Sequence, residues 1–128
     1  MRNPAVNPEI SGAKAAPVDL IHLSRQTLGN RALEREVLGL FATQSVIYVD
    51  KLRASTVQSD RLAAVHTLKG SAQGIGAWSV VDAALEMEAA ERGLADMPTD
   101  EEAQDRLARL IGEVATANAY ICTLLGTM

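Results

Sequence analysis

No proline interrupts the chain between Pro17 and Pro98, and the only others are Pro4 and Pro8. Proline inside a helix removes a backbone hydrogen bond and clashes with the preceding turn. A long proline-free stretch rich in Ala and Leu therefore favours helices. Within it, apolar residues recur at three- and four-residue steps, the spacing of one helix face. No segment shows the two-residue period of a half-buried strand, and no repeat is evident. Phe41, Tyr48, Trp78 and Tyr120 are the only aromatic residues, so Ala, Leu, Val and Ile must fill the core. A chain of 128 residues suits one domain.

Residues 1–17 hold three of the four prolines and no periodicity, and read as a flexible N-terminal tail. Residues 18–128 then form the domain. Asp19 caps a short helix over 19–28, with Leu20, Leu23, Thr27 and Leu28 on one side. Gly29-Asn30 is a turn. A long helix over 31–54 carries Leu33, Val37, Leu40, Phe41, Ile47 and Val49 as its apolar positions. After a polar break at Ser55–Ser59, Asp60 or Ser59 starts a third helix, which ends at Gly74 and Gly76. A fourth runs over 77–95. Gly93 to Pro98 breaks it, and Thr99 with Glu102 matches a capping box that opens the last helix. That helix carries an apolar stripe of Leu107, Leu110, Ile111, Val114, Ile121 and Leu124. Four long amphipathic segments joined by short breaks predict an antiparallel up-down four-helix bundle with a short extra N-terminal helix.

The third helix carries the chemistry. At about 100° per residue, Lys69, Gly70, Gln73 and Leu62 all fall within about 60° of His66. Ala64, Val65, Leu68, Ala72 and Ile75 lie on the opposite side, which places His66 at the surface, facing away from the core. Gly70 costs about 1 kcal/mol of helix propensity relative to Ala, which is unhelpful on an exposed face unless something must approach closely. Leu62 offers a docking partner an apolar side chain beside the His. Lys69 can screen a phosphoryl group, which carries up to about two negative charges and three acceptor oxygens. Gln73 either donates to the same group or is a plain surface residue.

On the fourth helix, Glu88 shares a face with Val81, Ala84 and Leu85, so a carboxylate lies on the apolar stripe and needs a partner. In an antiparallel hairpin reversing next to Gly76, Glu88 faces His66. A hydrogen bond to one imidazole N–H would fix the tautomer and leave the other nitrogen nucleophilic. The alternative is a partly exposed Glu88 paired with Arg92 at i+4.

The net charge of −4 argues against nucleic acid. No apolar run approaches the roughly 20 residues needed to cross a bilayer, and the first residues lack an apolar signal core. A soluble, cytoplasmic protein without membrane contact is expected. The single Cys122 permits no internal disulfide and is expected to be a buried thiol.

His66-x-x-Lys69-Gly70, with Gly76 ten residues beyond the histidine, resembles the signature of the histidine phosphotransfer (HPt) domain family over about residues 18–126. The resemblance implies a four-helix bundle whose exposed histidine is phosphorylated, typically on Nε2. The group comes from, or passes to, a phospho-aspartate on a response-regulator receiver domain. His66 is then the phosphoacceptor, and Lys69 neutralises charge on the phosphoryl group. Gly70 leaves room for the receiver, and Gly76 allows the tight hairpin. Glu88 stands where the family often bonds the imidazole Nδ1 with Gln or Glu. Partner specificity is expected around Leu62, Ala63, Gly70, Gln73 and Gly74. The partners implied are receiver domains and a hybrid or sensor histidine kinase. No cofactor is expected on this chain, because the assisting Mg²⁺ belongs to the receiver. Without a Gly-rich ATP loop the chain is a phosphoryl carrier with no autokinase activity.

Two other readings compete. A metal-binding bundle needs Glu-x-x-His pairs, and no Glu stands three residues before either histidine; Asp19-x-x-His22 is the nearest match. A non-phosphorylated helical module could bind and inhibit receivers, keeping the docking face without the chemistry. The helices suffice for one bundle, so a monomer is expected. His22 and Trp78 read as structural residues.

Overall fold

A computed structural model describes residues 16–93 and 99–127. It contains α1 (Leu20–Thr27), α2 (Arg31–Ala54), α3 (Gln58–Ile75), α4 (Trp78–Glu91) and α5 (Asp100–Thr127). No strand occurs among the described residues. The tail assigned to residues 1–17 falls almost wholly outside that range; Val18, at the start of the domain, is fully buried.

Helices α2 to α5 each pack on their neighbours in sequence, and α2 also packs on α5, which closes a four-helix ring. The helix ends fit an up-down course. Arg35 Nη1 donates to Leu125 O and Asn118 Nδ2 to Ser45 Oγ, so α2 and α5 run antiparallel. The short α1 lies against α2 and α3. One aliphatic core runs through the bundle, with Leu38, Leu52, Val65, Leu68, Ala72, Ala84, Leu110 and Ile121 fully buried.

Helix boundaries follow local chemistry. The Asp19 carboxylate accepts from His22 N at 3.1 Å and caps α1. Thr99 and Glu102 form the expected reciprocal capping box, at 2.9 and 3.1 Å. Gly76 ends α3 at φ 76°, with Ala77 N–H donating to Ala72 O and Gly76 N–H to Gln73 O, the left-handed cap that favours glycine.

Five expectations need correction. First, α3 begins at Gln58, not at Ser59 or Asp60, and its cap Val57 has no side chain able to bond the first turn. Second, α4 ends at Glu91, because Gly93 turns left-handed at φ 73°; residues 94 and 95 of the longer expected helix lie outside the described residues. Third, Leu33, Leu40 and Ile47 are exposed; α2 buries Phe41 and Val49 as expected, together with Leu38, Ser45 and Leu52. This helix has apolar residues on two faces, and the buried Ser45 is admitted by its bonds to Asn118 and Ala42 O. Fourth, Leu28 is 92% exposed because it adopts the left-handed C-cap of α1, and Leu20 and Leu85 are also exposed. Fifth, Cys122 is exposed; its neighbour Ile121 takes the inward position.

Candidate functional site

The third helix divides as its spacing predicts. Ala64, Val65, Leu68, Ala72 and Ile75 are buried, and the His66 side chain on the other side is 62% exposed. Its Nδ1 lies 2.8 Å from Glu88 Oε2 on α4, and the hairpin at Gly76 brings the two together. Glu88 is buried despite its charge. Its pKa falls from 4.5 to about 2, chiefly through the hydrogen bond from Lys69, then that from His66, against the opposing effect of burial. An ionised carboxylate only accepts, so Nδ1 of His66 carries the proton. In the neutral ring Nε2 is then the nitrogen with the free lone pair, and no hydrogen bond to it occurs among the described residues.

Lys69 does not stand free beside His66. Its Nζ donates to Glu88 Oε1 at 2.7 Å, and its side chain is only 17% exposed. The alternative partner, Arg92, is present as well: its Nη2 lies 3.4 Å from Oε2, the oxygen that also accepts from His66. One carboxylate therefore gathers three nitrogens. Sequence reasoning found the pair His66–Glu88 and missed Lys69–Glu88. The same hairpin register would have shown it, since Lys69 is one turn from His66 and also faces α4.

The other expected site residues divide. Ala63, Gly70, Gln73 and Gly74 are exposed on the His66 side. No atom lies near the place of a Cβ at Gly70 or Gly74, so this surface is open. Leu62 is half-buried against the core and presents less apolar surface than expected. Ala63 and Thr67 also edge a groove of about 810 Å³ between α2 and α3, with Tyr48, Lys51 and Val57 on its far side.

His22 lies near the other end of this face. Its Nε2 donates to Gln73 O at 2.8 Å, and its ring meets the edge of Trp78 at 4.9 Å. Trp78 Nε1 donates to Asp19 Oδ2 at 3.0 Å, and Asp19 N to Gly76 O at 2.9 Å. These bonds fasten α1 to the hairpin that sets His66 against Glu88, a structural role for both His22 and Trp78.

Among the described residues, no group of three or more His, Cys, Asp and Glu side chains could hold a metal ion. No described helix is long and apolar enough to cross a membrane. A family model described as "Hpt domain" matches residues 36–117, more than half of the chain. The comparisons with curated proteins and with solved structures return no match.

Proposed function

This chain belongs to the Hpt domain family, phosphocarrier modules of histidine phosphotransfer in phosphorelays, and we propose that it relays a phosphoryl group between receiver-domain aspartates through phospho-His66. The observation that carries this reading is the pairing of an exposed imidazole with a buried, ionised Glu88 on its Nδ1.

In the forward step, the Nε2 lone pair attacks the phosphorus of an aspartyl phosphate. The P–N bond forms as the P–O bond breaks, and the aspartate carboxylate leaves with the bonding pair. No proton moves. The ring keeps its Nδ1–H and gains positive charge, which the Glu88 carboxylate, 2.8 Å away, stabilises. The return step reverses these bonds at a second aspartate. Any Mg²⁺ belongs to the receiver's acidic pocket, and the phosphoryl group enters the relay from a hybrid or sensor kinase. Gly70, Gly74 and Ala63 form the open surface on which the receiver settles, Leu62 adds an apolar edge, and Gln73 lies within the same face. We place this activity in the cytoplasm, in a monomer.

The test is a transfer assay. Phosphorylated receivers should pass acid-labile label to this chain, and His66→Gln should abolish it. Receiver binding that survives His66→Ala, with no label ever found, would favour the inhibitory module instead.

A further inference from the structure

We propose that the cavity where the end of α4 meets the starts of α3 and α5 binds a compact phosphate-class oxyanion, held by the guanidinium groups of Arg61, Arg92 and Arg106. His66 does not line this cavity, and the proposal stands apart from the phosphotransfer reading.

The cavity measures about 320 Å³, at the small end of the range for ligand sites. Three arginines line it: Arg61 from α3, Arg92 from the residue that closes α4, and Arg106 from α5. Glu91 is the only acid among the lining residues. Three positive charges thus line the cavity with one negative charge, in a chain whose net charge is −4. Like charges around one cavity repel, and an anion among them relieves the repulsion.

The three arginines differ in what already holds them. Arg61 Nε donates to Glu91 Oε2 at 3.0 Å, and its Nη1 donates to Leu52 O and Ser55 O at 3.1 and 3.3 Å. These bonds fix Arg61 and use the carboxylate of Glu91. Arg92 is loosely tied, 3.4 Å from Glu88 Oε2 and 47% exposed, so it can turn toward the cavity. Arg106 Nη1 is buried and makes no hydrogen bond among the described residues. A buried donor without an acceptor costs the desolvation of that group, and a charged one costs more.

An oxyanion in the cavity supplies the acceptor that Arg106 lacks. Guanidinium forks match the several oxygens of a phosphate, whereas a carboxylate offers only two. Met87, Ala90 and Ala103 also line the cavity, and they give a short organic part of the ligand an apolar wall.

The experiment titrates the full chain in phosphate-free buffer at constant ionic strength. Inorganic phosphate, glycerol phosphate and acetate are the probes, and the backbone amide NMR signals of Gly93 and Ala103 report on the cavity. Phosphate should shift both signals saturably at millimolar concentration, and acetate should bind about tenfold more weakly or less. Tighter binding of glycerol phosphate than of phosphate assigns the site to an organic phosphate, and equal or weaker binding assigns it to free phosphate.

Arg106→Met keeps an apolar stem and removes the guanidinium. It should weaken phosphate binding about tenfold or more. In phosphate-free buffer its urea midpoint should exceed the parent's, because the unpaired buried group is gone. Added phosphate should raise the parent's midpoint and leave the variant's where it is. Arg106→Lys keeps the charge without the fork and should bind with intermediate affinity, a readout that survives if the Met variant fails to fold. Three results would each overturn the proposal: no saturable shift in the parent, shifts that Arg106→Met leaves in place, or acetate binding as tightly as phosphate.

Discussion

The imidazole Nδ1 of His66 and the carboxylate Oε2 of Glu88 are 2.8 Å apart, although 22 residues separate them in the chain. Glu88→Ala removes the group that holds the ring and leaves the nucleophile in place. Transfer to this variant should fall about tenfold, the worth of a hydrogen bond to a charged group. His66→Gln should allow none. Initial rates of label transfer from a phosphorylated receiver decide it, and a Glu88→Ala rate equal to the parent's would remove Glu88 from the site.

Acid should destabilise the fold through the same carboxylate. Its folded pKa is about 2, against 4.5 for the free group. Glu88 therefore contributes stability that is fully present above pH 4.5 and is lost as pH falls toward 2. Glu88→Gln cannot titrate, so its denaturation midpoint should depend less on pH in that window. Urea titrations of both proteins between those pH values measure the difference in slope.

Gly70 and Gly76 should respond oppositely to a methyl group. At Gly76 the φ is 76°, and an added Cβ would stand 2.8 Å from Asp19 Cβ. Gly76→Ala should cost about 1–3 kcal/mol, seen as a lower urea midpoint.

Gly70 meets nothing within 4 Å. Gly70→Ala should stabilise the helix by up to about 1 kcal/mol. It should nonetheless slow transfer if, as proposed, a receiver docks on this surface, because the methyl group would stand in its path to His66. Thermal melts and transfer rates on the same sample check both halves, and a transfer rate unchanged by the methyl group would take Gly70 out of the docking surface.

Asp19 links α1 to the hairpin by capping one and accepting from Trp78 on the other. Asp19→Ala should lose about 1 kcal/mol from the cap alone. Trp78, now 42% exposed, should move further into water. Its fluorescence should shift to the red before the bundle unfolds. An unshifted spectrum would show that other contacts hold the indole.

Much of this architecture was legible because it is local. Asp19, Gly76 and the Thr99–Glu102 pair each satisfy backbone groups within a few residues of themselves, and the spacing on α3 sets His66 opposite Leu68 without reference to any other helix. The hairpin register needed one further fact, the turn at Gly76, to set Glu88 against His66.

Where two answers were locally equal, the packed bundle chose between them. Helix α2 offers Leu33, Leu40 and Ile47 on one face and Leu38, Phe41 and Leu52 on another, and periodicity alone cannot rank two apolar faces. Burying Ser45 with the second is helped by Asn118, from the far end of the chain, which donates to a hydroxyl that itself donates to Ala42 O. In the same way, a lysine beside a histidine can reach outward to a ligand or sideways to a carboxylate. Sequence placed Lys69 beside His66 and Glu88 across from that histidine; only the tertiary structure assigned Lys69 to Glu88, since the depth to which that carboxylate is buried sets how strongly it demands a cation.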